Sequence, residues 1–242
     1  MINKQAAWAQ FDPQEYLDVN YNRLRPDDAC IVENFANFLL ELPTGLVSAD
    51  IGSGPNLYPA LLMATRAKSL SLIDRATANV AWLSTNLEEV QAPARWWPYV
   101  NHAGVCKDIG QYTLLWQRLK AMTEVQVGSI FDLQKDSWDL ATMFFVVESL
   151  TGDIEEFKLA FHTYFESIRH DGWCFAAFME GSLGYTMGGI RYPAVSISIP
   201  DIEVIAKQYC SSPSFDRIPL AEHPIRPGYS GMILLKGRIN KL

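Results

Sequence analysis

The sequence predicts an α/β fold, a doubly wound and mostly parallel sheet of seven strands with helices on both faces. Three observations predict it. Short apolar runs alternate with longer stretches of helical periodicity along the whole chain. The 242 residues are 49% hydrophobic and 19% charged, enough apolar surface for one large core. Turn residues punctuate the runs, most sharply in ADIGSGPNLYPALL (49–62), where two glycines and a proline separate an acid from an apolar stretch. Strands that alternate with helices imply right-handed crossovers and a sheet covered on both sides.

The elements follow in order. Asp12-Pro13 starts one helix, and Pro26 with two following acids starts a second, in which Ile31, Phe35, Phe38 and Leu39 share a face. Residues 46–51 form the first strand, 57–67 a helix, 69–73 a second strand ending on Asp74, and 77–87 a helix. The aromatic segment 91–107, with Trp96, Trp97 and Tyr99, reads as irregular, and a helix follows through Leu114, Leu115 and Leu119. Strands over 125–128 and 140–147, a helix over 154–169 and a strand over 173–179 come next. A helix over 201–209 and strands near Phe215 and over 232–235 complete the seven. Residues 1–44 read as an N-terminal helical segment and 45–242 as the domain, together one structural unit.

Composition narrows the function. The net charge is −7 without a lysine or arginine run longer than two, which excludes a nucleic-acid groove because phosphate binding needs clustered cations. No stretch approaches the ~20 apolar residues of a membrane span. The four cysteines lie far apart with no neighbouring histidines, so no metal site is expected. Reduced thiols and an N-terminus without an apolar leader point to the cytoplasm. Quaternary structure is open between monomer and homodimer.

The turn at Gly52-Ser53-Gly54 ends the first strand, and Asp74 ends the second about twenty residues on. In a doubly wound sheet ligands sit at these strand ends. The glycines let backbone approach a ligand without a Cβ in the way, and an acid at Asp74 accepts both hydroxyls of a ribose. Leu57 stands where a dinucleotide loop needs its third glycine, and the G-K-[ST] of a phosphate loop is absent. A cofactor with a ribose but no pyrophosphate fits, and S-adenosyl-L-methionine meets that description. An NAD-dependent oxidoreductase is disfavoured by Leu57.

DIGSGPNLY resembles the signature of the methyltransferases that act on nicotinamide, phenylethanolamine and thioethers. FDPQEYLDVNY resembles that family's lid segment, Ile73-Asp74 with Asn79 its ribose motif, and MEGSLGYTMGG a loop near its fifth strand. GPNLYPALL, GSIFDL, TMFFVVESLTGD and AAFMEGSLGY resemble an actinobacterial branch. The resemblance implies a Rossmann-like class I methyltransferase with residues 1–44 as a helical lid, using S-adenosyl-L-methionine and releasing S-adenosyl-L-homocysteine. It implies that Tyr16 and Tyr21 close the site, that Gly52, Ser53 and Gly54 meet the methionine part, and that Tyr58 lies on the following helix. Asp74 and Asn79 then hold the ribose, and the carbonyl of Phe144 meets the amino group. Where the family carries an adenine-binding aspartate this chain has Ser129 and Ile130, with Asp132 close by.

At the reacting end two acids, Glu148 and Glu180, stand after apolar strands and align with acidic acceptor-site positions of the amine-methylating members. Such an acid either orients a cationic amine, takes its proton, or caps a helix. The aspartate of the nicotinamide enzyme and the late acid of the phenylethanolamine enzyme are replaced by Ala177 and Pro227, which argues against both substrates. Trp96, Trp97, Tyr99, Tyr185 and Tyr192 are candidates for an aromatic wall, and His223 for a loop-borne base. The expected function is methyl transfer to a nitrogen of a small amine or heteroaromatic acceptor. The alternatives are transfer to sulfur or oxygen, or a non-catalytic cofactor binder.

Overall fold

The computed structural model describes residues 8–220 and 226–241. Helices α1 (Pro13–Asn20) and α2 (Pro26–Leu40) come first, then β1 (Leu46–Ile51), α3 (Tyr58–Met63), β2 (Ala67–Asp74) and α4 (Thr77–Glu88). Next are α5 (Trp97–His102), α6 (Ile109–Met122), β3 (Thr123–Val127), β4 (Trp138–Phe144), α7 (Ile154–Ser167) and β5 (Ile168–Glu180). Last come β6 (Tyr185–Met187), β7 (Ile190–Tyr192), α8 (Ile199–Ala206), β8 (Ser214–Pro219) and β9 (Gly231–Arg238).

Seven strands form one sheet in the order β3-β2-β1-β4-β5-β9-β8. The first five pair in parallel, and β9 runs antiparallel between β5 and β8. This is the expected mostly parallel sheet. The central strands are buried on both faces, which is why they read as unbroken apolar runs rather than alternating ones. Their side chains nonetheless sort by a period of two. Leu140, Phe144, Phe175 and Leu234 pack into a core with α2, α3, α5 and α6, while Ala141, Met143, Ala176 and Ile233 pack with α7 and α8. Among the described residues, no helix is long and apolar enough to cross a membrane.

The helix starts follow the sequence. Asp12 accepts hydrogen bonds from the N–H groups of Gln14 and Glu15, and Pro13 occupies the first turn of α1. Pro26 opens α2 with Asp27 and Asp28 in its first turn. Both acids are buried rather than solvated. Asp27 holds Arg25 and the hydroxyl of Tyr229, and burial beside Asp27 pushes Asp28 up to about 8.

Several expectations are corrected. Segment 91–107 is not irregular throughout: Pro98 opens the short helix α5, and Trp96 and Tyr99 drive into the core. The fourth strand ends at Phe144 instead of 147, because Phe145 takes a left-handed φ of 62° and turns the chain. The fifth strand begins at Ile168, five residues early, across a register shift opposite Trp138 and Leu140. The hairpin β6–β7 was not foreseen. Its signal is Gly188-Gly189, both at positive φ, a two-residue turn between strands too short to show alternation.

Candidate active site

A cavity opens at the carboxyl ends of β1, β2 and β4, where the strand order reverses, with about 890 Å³ of empty space when its solvent-open mouth is counted. The turn after β1 is stitched to β2, since the N–H groups of Gly52 and Ser53 both donate to the carbonyl of Ile73, at 2.7 and 3.1 Å. The two glycines have different reasons to be bare. At Gly52 (φ +66°), which also lines the cavity, a Cβ would stand 2.6 Å from Val146 Cγ2, so the missing side chain makes room for that neighbour. At Gly54 (φ +57°) a Cβ would meet nothing within 4 Å, and this residue keeps the cavity wall open.

Asp74 closes β2 beside that turn. One oxygen accepts from the N–H of Gly54 at 2.8 Å, the other from the N–H of Ala76 at 2.8 Å and from Asn79 Nδ2 at 3.2 Å. Burial raises its pKa, and these three donors pull it back toward the charged form. Next to it, Ser53 Oγ and Asn79 Oδ1 are buried without hydrogen-bond partners, on two residues that line the cavity. Buried polar groups are paired in the great majority of cases, so two orphans just beneath one cavity's lining mark a place for a polar ligand. The residues fit the ribose and amino-acid end of an adenosyl cofactor.

Ser129 and Ile130 line the far side, with Ser129 Oγ accepting from the N–H of Phe131 at 3.3 Å. Asp132 is exposed and does not line the cavity. Phe144 does, and so do Phe145 and Val146, which the sequence did not single out. A bulky residue in the left-handed region is strained, and strained residues gather at functional sites.

Tyr16 and Tyr21 form the roof, their rings 5.9 Å apart. Three ties hold this roof down. Arg95 donates to the carbonyls of Leu17 and Tyr21, Asn56 Nδ2 donates to the Tyr21 hydroxyl at 3.1 Å, and Glu15 accepts from the N–H of Gly188 in the β6–β7 hairpin. Trp8 and Phe11 pack on Tyr192 of the same hairpin, with centroids 5.1 and 5.6 Å away.

The acceptor candidates separate. Glu148 is fully buried behind the wall: Oε1 accepts from the N–H of Met179 at 3.0 Å and from Ser149 Oγ at 3.4 Å, while Oε2 has no partner. Burial pushes its pKa up to about 7 against those hydrogen bonds and the pull of Arg226. Glu180 does not join it. Its carboxylate is taken by Arg217 at 2.6 Å and by Ser230, away from the cavity, and the arginine holds its pKa below the usual range. Tyr58 is likewise not on the wall; it stacks on Tyr99 at 5.1 Å inside the aromatic core, with its hydroxyl unpartnered. Trp96, Trp97, Tyr99 and Tyr192 are absent from the cavity lining, whereas Tyr185 faces it. His223 lies outside the described residues. Ser149 and Arg226, which carried no recognisable sequence signal, stand beside Tyr185 on the wall.

The raised pKa of Glu148 has a measurable sign. The buried carboxyl ionises near 7 in the folded chain against 4.5 unfolded, so its share of stability is whole below about 4.5 and is lost as pH rises toward 7. Glu148→Gln therefore flattens the decline in urea-unfolding free energy across that window, by up to about 3 kcal/mol. A variant with an unaltered slope would show that Glu148 ionises normally.

A family model described as the NNMT/PNMT/TEMT family matches residues 1–208. The chain is 24% identical over 220 residues to the phenylethanolamine N-methyltransferase of Mus musculus, covering 81% of this chain and 72% of the relative. Its fold is similar to magnesium protoporphyrin IX methyltransferase of Synechocystis PCC 6803 with bound SAM (TM-score 0.60, 12% identity, 97% and 93% of the two chains). It is also similar to the N-methyltransferase NodS of Bradyrhizobium japonicum WM9 in complex with S-adenosyl-L-homocysteine (TM-score 0.56, 11% identity, 93% and 96%).

Proposed function

The chain belongs to the NNMT/PNMT/TEMT family, and from that premise we propose that it moves a methyl group from S-adenosyl-L-methionine to a nitrogen of a small amine or heteroaromatic acceptor. The observation that carries the cofactor reading is the cavity corner where Asp74, the bare backbone of Gly54 and the unpartnered Ser53 Oγ and Asn79 Oδ1 converge. When bound, the cofactor supplies a methyl group on a positively charged sulfur. The chain's own work is to hold and enclose.

Asp74 accepts from a ribose hydroxyl at the lone-pair site left on Oδ2, while Gly54, Ala76 and Asn79 keep its carboxylate oriented. Ser53 and the Gly54 backbone receive the amino-acid tail, and the carbonyl of Phe144 accepts from its amino group. Ser129 and Ile130 border the adenine. Methyl transfer needs the nucleophile, carbon and sulfur in line in a dry site, and positioning of that kind accounts for a large part of such rate enhancements. The helical segment within residues 8–44 serves as the lid, with Tyr16 on the cavity lining. Water exclusion under it strengthens the remaining electrostatics. Glu148 is positioned to act through Ser149 and not by contact, because its carboxyl sits behind the wall.

Calorimetric titration with S-adenosyl-L-homocysteine, then isotopic methyl transfer into a metabolite extract, tests the reading. Binding followed by label on a nitrogen supports it. Label on sulfur or oxygen redirects the acceptor class, and no binding overturns the cofactor assignment. Tyr16→Phe should lower kcat/KM about 2–10-fold, the size of one lost hydrogen bond. Wild-type kinetics in that variant would show that the roof hydroxyl has no part in turnover.

A further inference from the structure

Among the polar residues of the cavity lining that the cofactor reading leaves unused, Arg226 is a buried cation. Arg226 is 5% exposed, yet its guanidinium borders the cavity. A guanidinium carries five N–H donors and no acceptor. Among the described residues Arg226 makes a single hydrogen bond, from Nη1 to Ser149 Oγ at 3.1 Å, and no ion pair. None of its nitrogens is sealed off from both protein partners and the cavity.

A buried, unpaired cation is costly unless something neutralises it. Glu148, an acid that feels this charge, is held behind Ser149, with Oε1 on the Met179 N–H. Its burial favours the neutral form, so it compensates Arg226 only in part. The guanidinium is nevertheless fixed in place. Its Cζ lies 4.1 Å above the centre of the Tyr185 ring, and Tyr185 is stacked on Tyr192 at 5.1 Å and 18°. A guanidinium held over a ring in this way keeps N–H donors to spare, and its planar fork is the group that takes a carboxylate through two parallel hydrogen bonds.

We propose that Arg226 binds an anionic group on the methyl acceptor, so that the substrate class is a small amine or heteroaromatic acid bearing a carboxylate. The inference rests on the methyltransferase reading and deepens it. Two sources could bring a carboxylate to this cavity, the acceptor and the amino-acid tail of the cofactor. Position favours the acceptor: Arg226 bonds to Ser149 beyond β4, beside Tyr185, whereas the corner assigned to the tail is Ser53-Gly54 after β1.

The test uses the whole protein in two steps. S-adenosyl-L-homocysteine is titrated into wild type, Arg226→Gln and Arg226→Lys. Benzoate and its neutral isostere benzamide are then titrated into each loaded protein. The proposal expects benzoate to bind wild type at least tenfold more tightly than benzamide. It expects that preference to vanish in Arg226→Gln and to shrink in Arg226→Lys, which keeps the charge but loses the planar fork. Affinity for S-adenosyl-L-homocysteine should stay within threefold throughout. Equal affinities of wild type for benzoate and benzamide would overturn the proposal. So would a tenfold loss of S-adenosyl-L-homocysteine affinity in Arg226→Gln with the benzoate preference intact, because the carboxylate held would then be the cofactor's. If Arg226→Gln does not fold, the wild-type and lysine comparisons still decide. Wild type that fails to bind S-adenosyl-L-homocysteine overturns the methyltransferase reading itself, and is seen before the second step.

Discussion

Asp74→Ala should weaken S-adenosyl-L-homocysteine binding by about 10–100-fold, the equivalent of roughly 1.5–3 kcal/mol for hydrogen bonds to a charged group. The carboxylate does two things at once. It offers a lone pair to a ribose, and it accepts from the N–H groups of Gly54 and Ala76, which set the shape of the turn opposite. Alanine removes both, so the loss exceeds that of a contact on the ligand alone. Asp74→Asn separates the two roles. The amide can still accept from one of those N–H groups but offers a donor where the second oxygen stood, so its affinity should fall between the two. Calorimetry on all three proteins decides, and an alanine variant with wild-type affinity would remove Asp74 from the cofactor site.

Gly52→Ala should cost stability rather than affinity. A non-glycine residue at positive φ costs about 1–2 kcal/mol, and forcing a methyl group into a filled space about 1–3 more. The obstruction is Val146, whose Cγ2, Cγ1 and Cβ would lie 2.6, 2.7 and 3.2 Å from the new carbon, and a β-branched side chain has little freedom to withdraw. A combined loss of about 2–4 kcal/mol corresponds to about 5–15 °C in Tm for a chain of this size. Gly54→Ala, with the same backbone strain and nothing in the way, should lose about half as much. Adding Val146→Ala to Gly52→Ala should recover part of the difference, and purely additive losses would mean that the steric account is wrong.

The contrast between these glycines illustrates what the sequence could and could not convey. G-x-G after an apolar strand announces a bare turn. Which glycine has a protein neighbour where a Cβ would stand and which has open space depends on Val146, nearly a hundred residues away, and no local pattern carries that. The mostly parallel sheet, its double covering and the Asp74–Asn79 pair were legible because they rest on periodicity and on short fixed spacings. Glu180 misled for a related reason. It ends a strand as Glu148 nearly does, but β9 and β8 fold back beside β5 and deliver Arg217 to it, a partner set by antiparallel pairing far down the chain. Tyr58 was offered by the resemblance, as a tyrosine on the helix after the turn, yet the first turn of α3 points it into the rings of Tyr99 and Trp96. Arg226 was invisible, one cation among prolines and glycines. Asp28 looked like an ordinary first-turn acid and proves to be buried.

The roof has a thermodynamic consequence of its own. Tyr16, Tyr21 and Phe145 border both the main cavity and a smaller recess that contains Asp28, so one set of rings is wall to two neighbouring spaces. A ligand that shifts those rings from one side therefore reshapes the space on the other, and reciprocity requires the same coupling in either direction.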